Sequence, residues 1–392
     1  MTTSLTSRRL RWLAPAAVAA LVAAAAFSSN VGSASGSPKL PPRTPVQLLA
    51  AVQESYPEGL SGTIVETAKL GLPNISGDIG GAAAPGASLS LQTLVTGSHT
   101  VRVWYAGETR QRVAVLGSLS ESDLVHNGKE LWTYTSSTHR VTHTKITQPL
   151  HVRDSAKAAL GMTPQDLAQR TLDAIGPTTA IDVDDTARVA GRAAYQLLVK
   201  PKDARSLVGS VRIAIDAETS VPLRVQVFAR DAAKPAIEVG FTDISFKVPD
   251  ASVFNFVPPA GTNVVEEPLS ATVLGRGRGF YEYRGRRGNG PVRIKTPDVP
   301  TAPEGDVTGT DSANEGQTVL GKGWTQVVVF PSGGLLNGSG GELLARMATP
   351  TPQGRILTSA LVSVLFTDDG RVLIGSVTPD ELVKVAATGR GL

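Results

Sequence analysis

Four of the five histidines, His126, His139, His143 and His151, lie close together in the sequence. His139 and His143, four apart on an extended strand, would share a face, and two imidazoles on one face are the beginning of a metal site. Such a site needs further ligands and groups that orient them. Asp and Glu are sparse nearby, so exposed strand histidines are the better reading. Asp182, Asp184 and Asp185 offer oxygen ligands, but their spacing lacks the glycine and the distal glutamate of a calcium-binding EF-hand loop. A solvated strand edge accounts for them. Gly59-Leu60-Ser61-Gly62 fails as a nucleophile elbow at its last position. Gly338-Ser339-Gly340-Gly341 lacks the Lys-Ser/Thr of a phosphate cradle, and there is no His-Glu-x-x-His. With Cys 0 there is no thiolate nucleophile, no thiolate metal site, no disulfide and no lipid-modified cysteine. The chemistry inventory therefore predicts a non-enzymatic protein: no catalytic residue, no metal and no cofactor.

What remains is a scaffold for binding. Gly97 to Ile146 alternates apolar and polar residues in short runs closed by turn signals. Val101, Val103 and Tyr105 fall on one face of a period-2 strand, with Arg102 and Trp104 on the other. Arg112 to Leu116, Asp123 to His126, Glu130 to Thr135 and Val141 to Ile146 alternate in the same way. Asn127-Gly128 between two of these runs suits a type I′ hairpin turn. An antiparallel meander follows. Trp104, Trp132 and Tyr134 are either core or the apolar wall of a ligand cavity, since both are built from the same side chains.

Before the meander, Thr44-Pro45-Val46-Gln47 reads as a helix start with a capping box, and Val46, Leu49 and Val52 follow at helical spacing. Leu60 to Leu70 reads as the first strand. Gly71 to Ala87 is a surface loop, either a solvated excursion or a flap over a cavity mouth. Beyond the meander, Thr163-Pro164-Gln165-Asp166 opens a second helix running to Ile175, with Leu167, Leu172 and Ile175 as its stripe. Strands are predicted over Ile181–Val189, Ala193–Pro201, Val208–Asp216, Pro222–Ala229 and Ile237–Phe246, with a tight turn at Ala217–Ser220. Near the C-terminus, Thr325–Phe330 reads as a strand. Leu357–Thr367 and Arg371–Val377 read as a hairpin about Asp368-Asp369-Gly370, and a helix starts at Thr378-Pro379.

"D-L-V-H-N-G-K-E-L-W-T-Y", from Asp123 to Tyr134, resembles the mid-sheet hairpin of LolA-type lipoprotein carriers. "H-T-V-R-V-W-Y", from His99 to Tyr105, resembles a strand upstream of it in that family. "D-A-E-T-S-V-P-L", from Asp216 to Leu223, and Phe254-Asn255-Phe256-Val257-Pro258-Pro259 are similar to its later turn and closing segment. The superfamily includes RseB-type regulators and mycobacterial lipid-binding lipoproteins. The resemblance covers about residues 45 to 260. It implies an α+β fold: a curved antiparallel half-barrel sheet covered by helices, whose pocket holds acyl chains. Candidate lining positions are Ile64, Val101, Val103, Val113, Val115, Leu167 and Leu172. The expected partners are lipid acyl chains or a lipoprotein. By analogy with RseB, a membrane-bound anti-sigma factor is the alternative.

The chain has 392 residues, with 41% apolar and 18% charged, values of a globular protein with room for two to three domains. The expected organisation is a leader or anchor over 1–36, a linker over 37–44, the LolA-like domain over 45–260, a charged linker over 261–318 and a small β-rich C-terminal region over 319–392. The leader is read from basic Ser7–Trp12, apolar Leu13–Phe27 and small Ser33-Ala34-Ser35, and it places the rest outside the cytoplasm. The formal net charge is +4, and Arg8, Arg9 and Arg11 carry 3 of it, leaving +1 without the leader. A globally basic surface and a nucleic-acid partner are therefore not expected. Gly275–Lys295 concentrates arginine and glycine, and Asp298–Glu315 is acidic. From Val265 to Gln317 this composition predicts a chain without fixed structure, with the arginine stretch or the N-terminus as points of contact with a membrane surface.

Overall fold

A computed structural model describes residues 37–71, 96–117, 120–146, 169, 172, 173, 175–267, 318–330, 347–389 and 391. The expected leader, most of the Gly71–Ala87 loop, the start of the helix expected at Thr163, and the charged stretch from 268 to 317 lie outside the described residues.

Twelve strands form one sheet. They are β1 (Leu60–Lys69), β2 (Thr96–Tyr105), β3 (Arg110–Leu116), β4 (Glu121–Asn127), β5 (Glu130–Thr135), β6 (Arg140–Lys145), β7 (Thr179–Val189), β8 (Arg192–Pro201), β9 (Val208–Asp216), β10 (Pro222–Ala229), β11 (Ile237–Ser245) and β12 (Asn263–Glu266). Their order is β12-β6-β5-β4-β3-β2-β1-β11-β10-β9-β8-β7. The first strand is thus central, flanked by β2 and β11, and the last pairs in parallel with β6 at the far edge. The large antiparallel sheet expected from the sequence is present. Helices contribute less than expected. Among the described residues α1 (Pro45–Glu54) lies on this sheet, and Gln169, Leu172, Asp173 and Ile175 are helical.

α1 starts as its sequence predicts. The Thr44 hydroxyl accepts from Gln47 N at 3.3 Å, and Thr44 N donates to Gln47 Oε1 at 2.9 Å. Its anchor in the core is Leu48, fully buried among Tyr195, Leu197, Ile213, Val225 and Val239, rather than Val46 or Leu49 of the expected stripe.

Cross-strand pairing shows how one face is built. His99, Glu66, Val239, Val225, Ile213, Leu197 and Val183 stand opposite one another in a single row across β2, β1, β11, β10, β9, β8 and β7. Most of that row is buried apolar core. On the opposite face runs Trp104, Arg112, Val125, Trp132, His143 and Glu266, across β2 to β6 and β12.

Two turns differ from expectation. Asn127 pairs with Glu130, so the corner residues are Gly128 and Lys129. Of these, Gly128 has φ 65° and Lys129 is not among the positive-φ residues, the signature of a type II′ turn instead of I′. The run Leu357–Thr367 is two strands, not one. The Ser359 hydroxyl accepts from Val362 N at 3.0 Å and closes a turn between β16 (Gly354–Thr358) and β17 (Ser363–Thr367).

The C-terminal residues form a second sheet. It adds β13 (Thr318–Leu320), β14 (Val327–Phe330), β15 (Thr349–Thr351) and β18 (Val372–Gly375), in the order β13-β14-β18-β17-β16-β15. Helix α2 (Pro379–Thr388) buries Leu382, Val385 and Ala386 against Leu365, Leu373 and Val327. This sheet is hydrogen-bonded to the first. Leu207 N donates to Ser376 O at 2.9 Å, Thr378 N to Arg205 O at 3.1 Å, and Ala360 N to Leu70 O at 2.9 Å. Trp324 Nε1 donates to Thr179 Oγ1 at 2.8 Å, and Leu361 enters the core of the large sheet.

Candidate functional site

The strand residues named as cavity lining stand together. Ile64 pairs with Val101, Val101 with Val115, and Val103 with Val113, so all five share a face of β1, β2 and β3. They form one apolar cluster with Phe241, Leu223, Ala214, Ala194 and Val189. Ile64 and Val101 are buried, whereas Val103, Val113 and Val115 are only half-buried. Next to Val113, Leu124 of β4 is 37% exposed. Apolar side chains on this face therefore become progressively more open from β1 towards β4. Leu172 is half-buried in the helical stretch before β7 and belongs to none of the apolar clusters; Leu167 lies outside the described residues. Two clefts, of about 860 and about 280 Å³, are lined by other residues.

Glu66 was not singled out by the sequence. As residue i+2 of Ile64 it shares the apolar face, opposite His99 on one side and Val239 on the other. It is 3% exposed, and its Oε2 has no hydrogen-bond partner among the described residues. Burial pushes its carboxyl up to about 7, because the anion loses hydration and gains no cation. A carboxyl that takes up a proton near neutrality thus sits two residues from the centre of the apolar cluster.

The opposite face carries a different arrangement. After β11 the chain crosses the sheet as a strap. Phe254 is 1% exposed at the end of a short 3₁₀ turn, Arg112 Nη1 donates to Val253 O at 3.3 Å, and Asn127 Nδ2 donates to Asn255 Oδ1 at 3.2 Å. Phe256 then lies against Trp132 and Tyr134, with ring centroids 5.5 and 6.3 Å apart. Those aromatics are the seat of the strap, neither core of the apolar face nor wall of a cavity there. Trp104 is flanked by the guanidiniums of Arg102 and Arg112, at 5.1 and 5.4 Å.

The strap ends in β12 at a histidine clasp. His143 is buried and stacked on Trp132, with centroids 3.8 Å apart. Its Nδ1 bonds Glu266 Oε1 of β12 at 2.7 Å, and its Nε2 makes a short contact with Glu130 of β5. Burial works against the charged ring, but hydrogen bonds and charge from Glu266 and Glu130 outweigh it and hold His143 above its ordinary value. Arg140 adds an ion pair to Glu267 at 2.8 Å. The exposed strand histidines expected from the sequence are not found at His143, which is buried, and His139 does not share its strand. His139 follows a 3₁₀ turn in the left-handed region, with φ 49°, before β6 begins. Among the described residues no group of three or more His, Asp or Glu stands in ligand geometry. Asp184 instead pairs with Arg212 at 3.4 Å.

Residues 92–252 match the family model described as the MucB/RseB N-terminal domain. No curated protein matches the chain. Among solved structures, a complex of MucA and MucB from Pseudomonas aeruginosa is similar at 14% identity, covering 87% of this chain and 96% of that one, with TM-score 0.40. An uncharacterized conserved protein from Thermus thermophilus is similar at 13% identity, covering 56% and 97%, with TM-score 0.31. A LolA superfamily protein from Nitrosomonas europaea is similar at 11% identity, covering 55% and 99%, with TM-score 0.19.

Proposed function

We propose, from the match of residues 92–252 to the MucB/RseB N-terminal domain model, that this chain is a non-enzymatic, extracytoplasmic binding protein. In this reading it takes up an acyl chain, of a lipid or a lipidated protein, on the apolar face of β1 to β4. The observation that carries the reading is the gradient along that face, from buried Ile64 and Val101 to half-buried Val103, Val113 and Val115 and exposed Leu124. Apolar side chains left open on an otherwise buried face are what an acyl chain would cover. Each buried CH₂ contributes about 0.8 kcal/mol, so a 16-carbon chain supplies roughly 10 kcal/mol before ordering costs. That is enough for micromolar binding.

The match to an RseB-type domain favours a second, regulatory reading, in which the same protein docks on a membrane-bound anti-sigma factor. Native mass spectrometry after mild extraction separates the two. A carrier retains lipid, and Val103→Asp abolishes uptake of a fluorescent fatty acid while the circular dichroism melt is preserved. A regulator is recovered with a single-span membrane protein. Wild-type protein that retains no lipid and takes up no fatty acid overturns the acyl-chain reading.

A further inference from the structure

The β7–β8 turn, the β9–β10 turn and the segment leading into α1 converge on a cleft of about 860 Å³. Three arginines face it: Arg43, Arg188 and Arg192. Arg192 already has two carboxylate partners. Its Nε and Nη2 donate to Asp216 at 2.5 and 3.0 Å, and Nη2 reaches Glu218 at 2.7 Å. Asp216 is almost wholly buried and fully occupied, since its Oδ1 also accepts from Glu218 N, Thr219 N and Thr219 Oγ1. The two acids of the cleft are therefore consumed by one of its three cations.

Arg43 and Arg188 have no carboxylate partner among the described residues. Arg43 is half-buried, held 5.0 Å over the ring of Tyr195, whose hydroxyl donates to Pro41 O at 2.9 Å. Arg188 donates only to Gly191 O of its own turn, at 3.2 Å. Leu40, Pro41 and Tyr195 give the same cleft an apolar wall.

We propose that this cleft binds a phosphate ester, with Arg43 and Arg188 as the residues that take its charge. A guanidinium presents its donors as a planar fork that matches phosphate oxygens two at a time. A phosphate monoester has three free oxygens to offer the two guanidiniums that lack a carboxylate partner, whereas a carboxylate has two, enough for one fork. The cleft volume lies in the range of small-ligand sites. The apolar wall suits a phosphate attached to carbon rather than the free ion. The cleft borders the apolar cluster of the β1 to β4 face, since Val189 and Ala194, neighbours of Arg188 and Arg192, belong to it with Ile64 and Val101; its lining residues are different ones, and it stands whether or not an acyl chain binds on that face.

The test uses the full-length chain with two probes: glycerol 3-phosphate in solution, and phosphatidylcholine vesicles with and without phosphatidic acid. The expected result is binding of glycerol 3-phosphate, weakened at least tenfold by Arg43→Gln and by Arg188→Gln with the melting temperature unchanged. Should Arg43→Gln disturb folding, Arg188→Gln carries the test alone, because that exposed side chain supports only its own turn. If phosphatidic acid vesicles also bind and glycerol 3-phosphate competes, the phosphate is that of a lipid headgroup. If the vesicles do not bind, it is a soluble ester. Wild type that binds neither probe, or variants that bind both as the wild type does, overturns the proposal.

Discussion

Glu66 is the residue whose cost can be read most directly. Its folded carboxyl is raised from 4.5 to about 7. Between those values the native state holds a proton that the unfolded chain has released. Stability contributed by protonated Glu66 is thus complete below about pH 4.5 and is lost as pH rises to 7. The whole shift corresponds to about 3 kcal/mol. Glu66→Gln keeps the shape and removes the titration. Urea unfolding should find the variant more stable than wild type at pH 8, by up to about 3 kcal/mol, and little changed at pH 4.5. Equal stability of the two proteins at pH 8 would show that the carboxyl is hydrated after all. Nothing in the local sequence reveals this position. "Ile-Val-Glu-Thr" alternates like any half-exposed strand, and only the pairing of Glu66 with Val239 puts the carboxyl against the core.

At the scale of elements, the clasp ties β12 to the edge of the sheet. His143 charged between Glu130 and Glu266 contributes stability that is present below its ordinary value of 6.5 and is lost as pH rises through its higher folded value. Replacing it with glutamine should loosen β12 at pH 6 and change little at high pH. Hydrogen exchange of the amides of Val264 to Glu267 reads this, and unchanged protection in His143→Gln at pH 6 would mean that the backbone pairing alone holds the strand. The meander itself was legible in the sequence because alternation and turn residues act over neighbouring positions. The clasp was not, because Glu266 reaches His143 from 123 residues away. The hairpin at Gly128 shows the intermediate case. Asn-Gly located the reversal, but cross-strand register chose Gly128-Lys129 as its corner. The division of Leu357–Thr367 into two strands depended on one hydroxyl, that of Ser359, capping its own turn.

For the whole molecule, the second sheet closes the core of the first. Leu361 is buried with Leu48, Leu197 and Ile213, and Trp324 is bonded to Thr179. A chain ending before Thr318 should therefore expose part of the large sheet's core. Scanning calorimetry should find a lower melting temperature, and a dye that reports exposed apolar surface should bind the shortened chain but not the full one. An unchanged melt of the shortened chain would show that the second sheet is a passenger. The large antiparallel sheet and a second, smaller β region were accessible from the sequence, the expected covering of helices was not confirmed, and this contact was not legible, since the residues between the two sheets carry no pattern that states where they return.

The central place of β1 sets the timetable of assembly. Its neighbour β2 follows within a few tens of residues, but Ser61 must wait for Ser245, about 180 residues further along the chain. Contacts so distant in sequence make folding slow, because a long loop must close before the contact repays it. A chain made from its N-terminus onward carries one unpaired edge of β1, with its apolar side chains, until nearly two thirds of its length has been released. During that interval the open edge is a template for any other extended segment, so the hazard this architecture has to survive is kinetic, and it falls before the native state exists.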